Sequence, residues 1–86
     1  QQAAAQREKL RPLKKQLQDL ESEMAQVQGE LSDLQARLSD TALYTPERKE
    51  DLAQLLQREG QLKARSEQLD EQWLEQQQLL EEIEQN

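Results

Sequence analysis

The chain has 86 residues, of which 34% are hydrophobic and 2% aromatic, with one Trp, one Tyr and no Phe, Cys or His. This supply is too small for a globular core but fills a narrow seam, which takes about two apolar residues in seven; the missing Cys and His exclude disulfides, thiolate metal sites and the commonest general base. The formal net charge of −7 disfavours polyanionic partners, because affinity for nucleic acid comes largely from Lys and Arg neutralising phosphates.

Low hydrophobicity with many charges is also the composition of disordered chains, and periodicity decides against that reading. Leu10, Leu13, Leu17, Leu20, Met24, Val27, Leu31, Leu34 and Leu38 follow each other at alternating steps of three and four. A strand would alternate at two, and a disordered chain keeps no such register. Ala3 continues the phase backwards, and the residues between the apolar positions are almost all polar. The pattern predicts a first amphipathic helix over about 3–40. Pro12 cannot donate a backbone hydrogen bond and disfavours a helical Arg11, which predicts a kink or a restart there. Gly29 falls on the outer face, where it weakens the helix by about 1 kcal/mol relative to Ala.

The periodicity stops over residues 41–45, a loop of a length that joins antiparallel neighbours. Thr45-Pro46-Glu47 reads as a helix start: Thr45 can cap, Pro46 suits the first helical position, and Glu47 complements the positive end of the dipole. Leu43 and Tyr44 are expected to fold over the end of the seam as a plug. A second helix over about 46–84 carries the seam Leu52, Leu55, Glu59, Leu62, Ser66, Leu69, Trp73, Gln76, Leu80 and Ile83. Glu59, Ser66 and Gln76 dilute it, so this helix needs a partner. Leu56, beside the seam, is placed to substitute for Glu59, and Gly60 is a second weak point. Trp73, the one large aromatic, is expected to pack on the first helix near Pro12.

Charge sets the direction of pairing. Arg7, Lys9, Arg11, Lys14 and Lys15 crowd the start of the chain, and after Arg65 there are only acids: Glu67, Asp70, Glu71, Glu75, Glu81, Glu82 and Glu84. A hairpin lays the basic start beside the acidic finish, whereas a parallel homodimer sets like against like. The expected fold is therefore an all-α, two-helix antiparallel coiled-coil hairpin, a single domain over residues 1–86. With flush helix ends, facing seam residues have numbers summing to about 86. Leu31 then meets Leu55, Leu17 meets Leu69, Leu13 meets Trp73, and Arg11 and Lys15 fall level with Glu75 and Glu71.

Chemistry-bearing motifs are missing. The two glycines are isolated, so no phosphate-binding loop is present, and no serine has a base beside it. The acids Glu81, Glu82 and Glu84 read as a solvated face rather than a cation site. No apolar run approaches a membrane span and no signal peptide opens the chain, which fits a cytoplasmic chain without a membrane partner. The start at Gln1 rather than Met fits a processed or excised piece. Candidate contact residues remain: the basic segment Arg7, Lys9, Arg11, Lys14 and Lys15, and the tip residues Tyr44, Arg48 and Lys49.

The stretch Leu38-Ser39-Asp40-Thr41-Ala42-Leu43-Tyr44, followed by Thr45-Pro46-Glu47 and by Glu71-Gln72-Trp73-Leu74-Glu75, resembles the C-terminal coiled-coil domain of ABC-F proteins, soluble ATPases with two ATP-binding cassettes and no membrane domain. Leu10-Arg11-Pro12-Leu13-Lys14-Lys15 is similar to the start of that domain, so the resemblance covers nearly the whole chain. It implies a non-catalytic appendage; ATP and Mg would belong to cassettes in the parent protein, and this chain itself would hold no cofactor. The implied partners are the parent cassettes, the ribosome or nucleic acid. Three functions stay open: an ABC-F interaction hairpin, a DNA-binding hairpin using residues 7–15, and a structural homodimer, of which the first is favoured as a monomer.

Overall fold

Residues 2–85 are described by the computed structural model. The strong helix formers of the first half give one helix, α1 (Gln2–Leu38), and those of the second half give α2 (Lys49–Gln85). Two short 3-10 turns, Thr41–Tyr44 and Pro46–Arg48, reverse the chain between them. The helices run antiparallel: Gln6, near the start of α1, donates from Nε2 to the Ile83 carbonyl at the end of α2 at 2.7 Å. The product is an all-α antiparallel hairpin measuring 68 × 15 × 14 Å.

The seam is apolar along most of its length. Val27, Leu31, Leu34, Leu62 and Leu69 are buried toward the tip, with Leu20, Met24, Leu38 and Leu55 packed on them. Leu10, Leu17 and Leu80 form a second cluster toward the open end, joined by Leu13, Trp73 and Ile83. Leu69 is fully buried. Trp73 is half-buried against α1, in the cluster that flanks Pro12.

α1 is continuous through Pro12, so the helix does not restart there. The missing N–H frees only the Glu8 carbonyl, and Pro12 is exposed on the outer surface, where water can reach that carbonyl. Ala3 is exposed; the seam closes instead on Gln6, whose bond to Ile83 satisfies one of the carbonyls that every helix end leaves unpaired.

The turn is more ordered than a plain loop. α1 ends at Leu38, and Ser39 and Asp40 close its last turn with backbone bonds to Gln35, Ala36 and Arg37. The Asp40 carboxylate accepts from the Ala42 amide at 3.0 Å and starts the first 3-10 turn. Thr45 precedes the second turn in extended conformation, but its hydroxyl makes no cap. It donates backwards to the Ala42 carbonyl at 3.3 Å. Leu43 is the plug expected of it, 2% exposed. Tyr44 is not buried with it: its ring lies outside at 58% exposure, and its hydroxyl donates to the Leu38 carbonyl at 2.7 Å.

Register departs from the flush pairing predicted above. The two cross-helix ion pairs, Glu30 with Arg58 and Glu23 with Arg65, each have residue numbers summing to 88. The cause is the length of the reversal: α1 stops before residue 40, and α2 becomes α-helical only at Lys49, after a 3-10 turn. Leu69 therefore sits in the cluster with Val27 and Leu62 rather than with Leu17.

Candidate interaction surface

The basic segment of α1 divides between two faces. Residues seven apart, or three and four apart, share a helix face. Arg7, Arg11, Lys14 and Lys15 accordingly line one shallow surface with Leu10 and Gln18. Lys9 lies on another side, beside Gln2, Ala5, Gln6 and Ile83. The structure thus brings four of the five basic candidates together and separates Lys9 from them.

These cations are not neutralised across the hairpin, contrary to the expectation for Arg11 and Lys15. Arg11 pairs with Glu8 on its own helix at 3.2 Å, and Lys15 with Asp19 at 2.8 Å. Neither bridge crosses to α2, and both leave the basic side chain mostly exposed, at 75% for Arg11 and 70% for Lys15. Among the described residues Arg7 bonds the Ala3 carbonyl alone, through Nε at 3.4 Å. Exposed pairs of this kind contribute roughly 0–1 kcal/mol, so a stronger anionic partner can displace them. The reason is geometric: Arg11 and Lys15 lie on the outer side of α1, and Leu10 rather than either of them packs toward α2.

The cross-helix bridges lie nearer the middle of the rod and run the other way, from bases of α2 to acids of α1. Arg58 Nε donates to Glu30 Oε2 at 2.9 Å and Arg65 Nε to Glu23 Oε2 at 2.7 Å. Sequence reasoning missed them. Their signal was present, since 23 and 30, and 58 and 65, are each one heptad apart at seam-flanking positions.

The tip candidates are engaged locally. Tyr44 holds the end of α1 through its hydroxyl, Arg48 pairs with Asp51 at 3.3 Å, and Lys49 is exposed. Tip and basic stripe lie toward opposite ends of a 68 Å rod, so they cannot serve one small ligand. Leu56 does not replace Glu59 in the seam: Leu56 is 49% exposed, while Glu59 is half-buried with Lys63 at 3.8 Å. Among the described residues no group of three or more acidic side chains is arranged to hold a metal ion, and no helix is long and apolar enough to cross a membrane.

No curated protein and no solved structure matches the chain at a significant level of similarity. A model of one protein family does match it, over residues 9–78, and that family is described as the ABC transporter C-terminal domain.

Proposed function

The chain belongs to the ABC transporter C-terminal domain family, and from that premise we propose that it is the non-catalytic interaction hairpin of an ABC-F type ATPase, acting in the cytoplasm as a monomer and touching the ribosome or other nucleic acid through Arg7, Arg11, Lys14 and Lys15. The observation that supports this reading is the exposed basic stripe, whose ion pairs among the described residues stay on α1. The net charge of −7 opposes binding along most of the rod, and it directs a polyanion to this stripe. The seam supports the monomer: the apolar face of α1 that could drive a homodimer is already covered by α2. Lys9 and the tip residues Tyr44, Arg48 and Lys49 are secondary candidates for contact with the parent cassettes.

The test is fluorescence anisotropy with labelled duplex RNA and DNA over a salt series. Four neutralised phosphates give a log–log salt slope of roughly −3 to −4. Arg7→Gln with Arg11→Gln should weaken binding and flatten that slope by about two. Absence of salt-dependent binding at low ionic strength removes the nucleic-acid contact and leaves the cassettes as the partner.

A further inference from the structure

The second helix places residues against the usual sorting. Gln76 occupies a seam position, and its Oε1 is buried without a hydrogen-bond partner, while Leu74, two residues away, is 52% exposed. On this stretch of α2 a polar side chain is thus held inside and an apolar one outside. Leu74 lies in a shallow groove between the helices, whose floor is Met24 and Trp73 and whose two banks are Glu21 and Asp70. Both acids are exposed. Neither makes an ion pair among the described residues, although Asp19 and Glu23 close by do. The groove lies apart from the Glu23–Arg65 clamp, which borders a different cleft.

An apolar floor between two unpaired carboxylates, one from each helix, has the form of a site for a third helix with an apolar stripe and basic residues on its flanks. We infer that this groove docks a cationic amphipathic helix, its leucine-type residues on Met24, Trp73 and Leu74 and its Lys or Arg residues reaching Glu21 and Asp70. Charge complementarity selects a basic occupant, and a second copy of the chain does not supply the apolar stripe, because its leucine seam is already buried between its own helices. Lys14 on α1 and Lys63 on α2 lie two turns from Glu21 and Asp70 on the same sides of their helices, so the basic residues of the partner are confined to the stretch between them. This site is independent of the basic stripe and does not rest on the nucleic-acid reading.

Trp73 is the only tryptophan and forms part of the groove floor, so its emission reports occupancy directly. The 86-residue chain is titrated with a peptide of Leu and Lys patterned as an amphipathic helix, and with its Leu and Glu counterpart. The Lys peptide should shift Trp73 emission to the blue with saturation, and the Glu peptide should not. Leu74→Gln, and separately Glu21→Lys with Asp70→Lys, should each weaken the Lys peptide by roughly tenfold or more. Glu47→Lys with Glu50→Lys at the tip changes net charge by the same amount and should leave the affinity within about twofold. An unchanged Trp73 spectrum overturns the inference, as does equal weakening by the tip and groove charge reversals, which would mark attraction to the acidic rod as a whole. Circular dichroism of each variant confirms that the hairpin is intact; all five substituted positions are exposed.

Discussion

Replacing Gln76 by Leu is expected to stabilise the hairpin. The Oε1 atom of Gln76 is buried with no hydrogen-bond partner, and a buried polar group in that condition costs about 1–3 kcal/mol. Leu has nearly the same reach and removes that cost. It also adds apolar contact with the cleft around Gln16, Leu20 and Gln72, where each further buried carbon is worth about 0.8 kcal/mol. The side chain is only half-buried, so the net gain is set at about 1–3 kcal/mol rather than the sum of both upper bounds. In a domain of this size 1 kcal/mol raises the melting temperature by about 4–8 °C. Urea denaturation followed by circular dichroism is the assay; the midpoint should rise with the slope unchanged, since the surface exposed on unfolding is almost the same. Gln72→Leu is the comparator, because Gln72 borders the same cleft but is exposed, and it should change stability by less than about 0.5 kcal/mol. A neutral or destabilised Gln76→Leu protein, or one matched by Gln72→Leu, refutes the reasoning.

Two further stability changes follow from burial and helix propensity, each read in the same urea assay. Leu69→Ala should cost about 3 kcal/mol, because Leu69 is 0% exposed and both its transfer energy and the cavity it leaves are lost. Gly29→Ala and Gly60→Ala should each add roughly 1 kcal/mol and combine additively, since a Cβ at either position meets nothing within 4 Å and Ala costs the helix less than Gly.

The seam of α1 was readable from its spacing because nine apolar residues held one register without a polar interruption. The direction of pairing was readable from the basic start and the acidic finish. The register was not, since it depends on where the helices end. That in turn depends on Asp40, Tyr44 and Thr45 making turn bonds whose partners spacing does not specify. The same limit explains the charge pairs. Lys15 has Asp19 within reach one turn along its own helix, and a short intrahelical partner wins over one across the groove. Four of the five basic residues share one surface because helical spacing places Arg7, Arg11 and Lys14 on one face. Lys9 was grouped by closeness in sequence, which a helix does not respect. Spacing alone favours core packing for Trp73 over its alternative as an anchor for a partner, and it does not show that Leu74 borders the same groove.

The reversal at the tip has a mechanical consequence. Tyr44 ties the end of α1, Asp40 ties the first 3-10 turn, and Leu43 closes the seam beneath them, so the reversal is fixed at the far end. At the other end Gln6 clasps the last turn of α2. A rod fastened at both ends behaves as a strut rather than a pair of sliding filaments. A small tilt imposed at its base is then delivered at the tip as a displacement that grows in proportion to its 68 Å length.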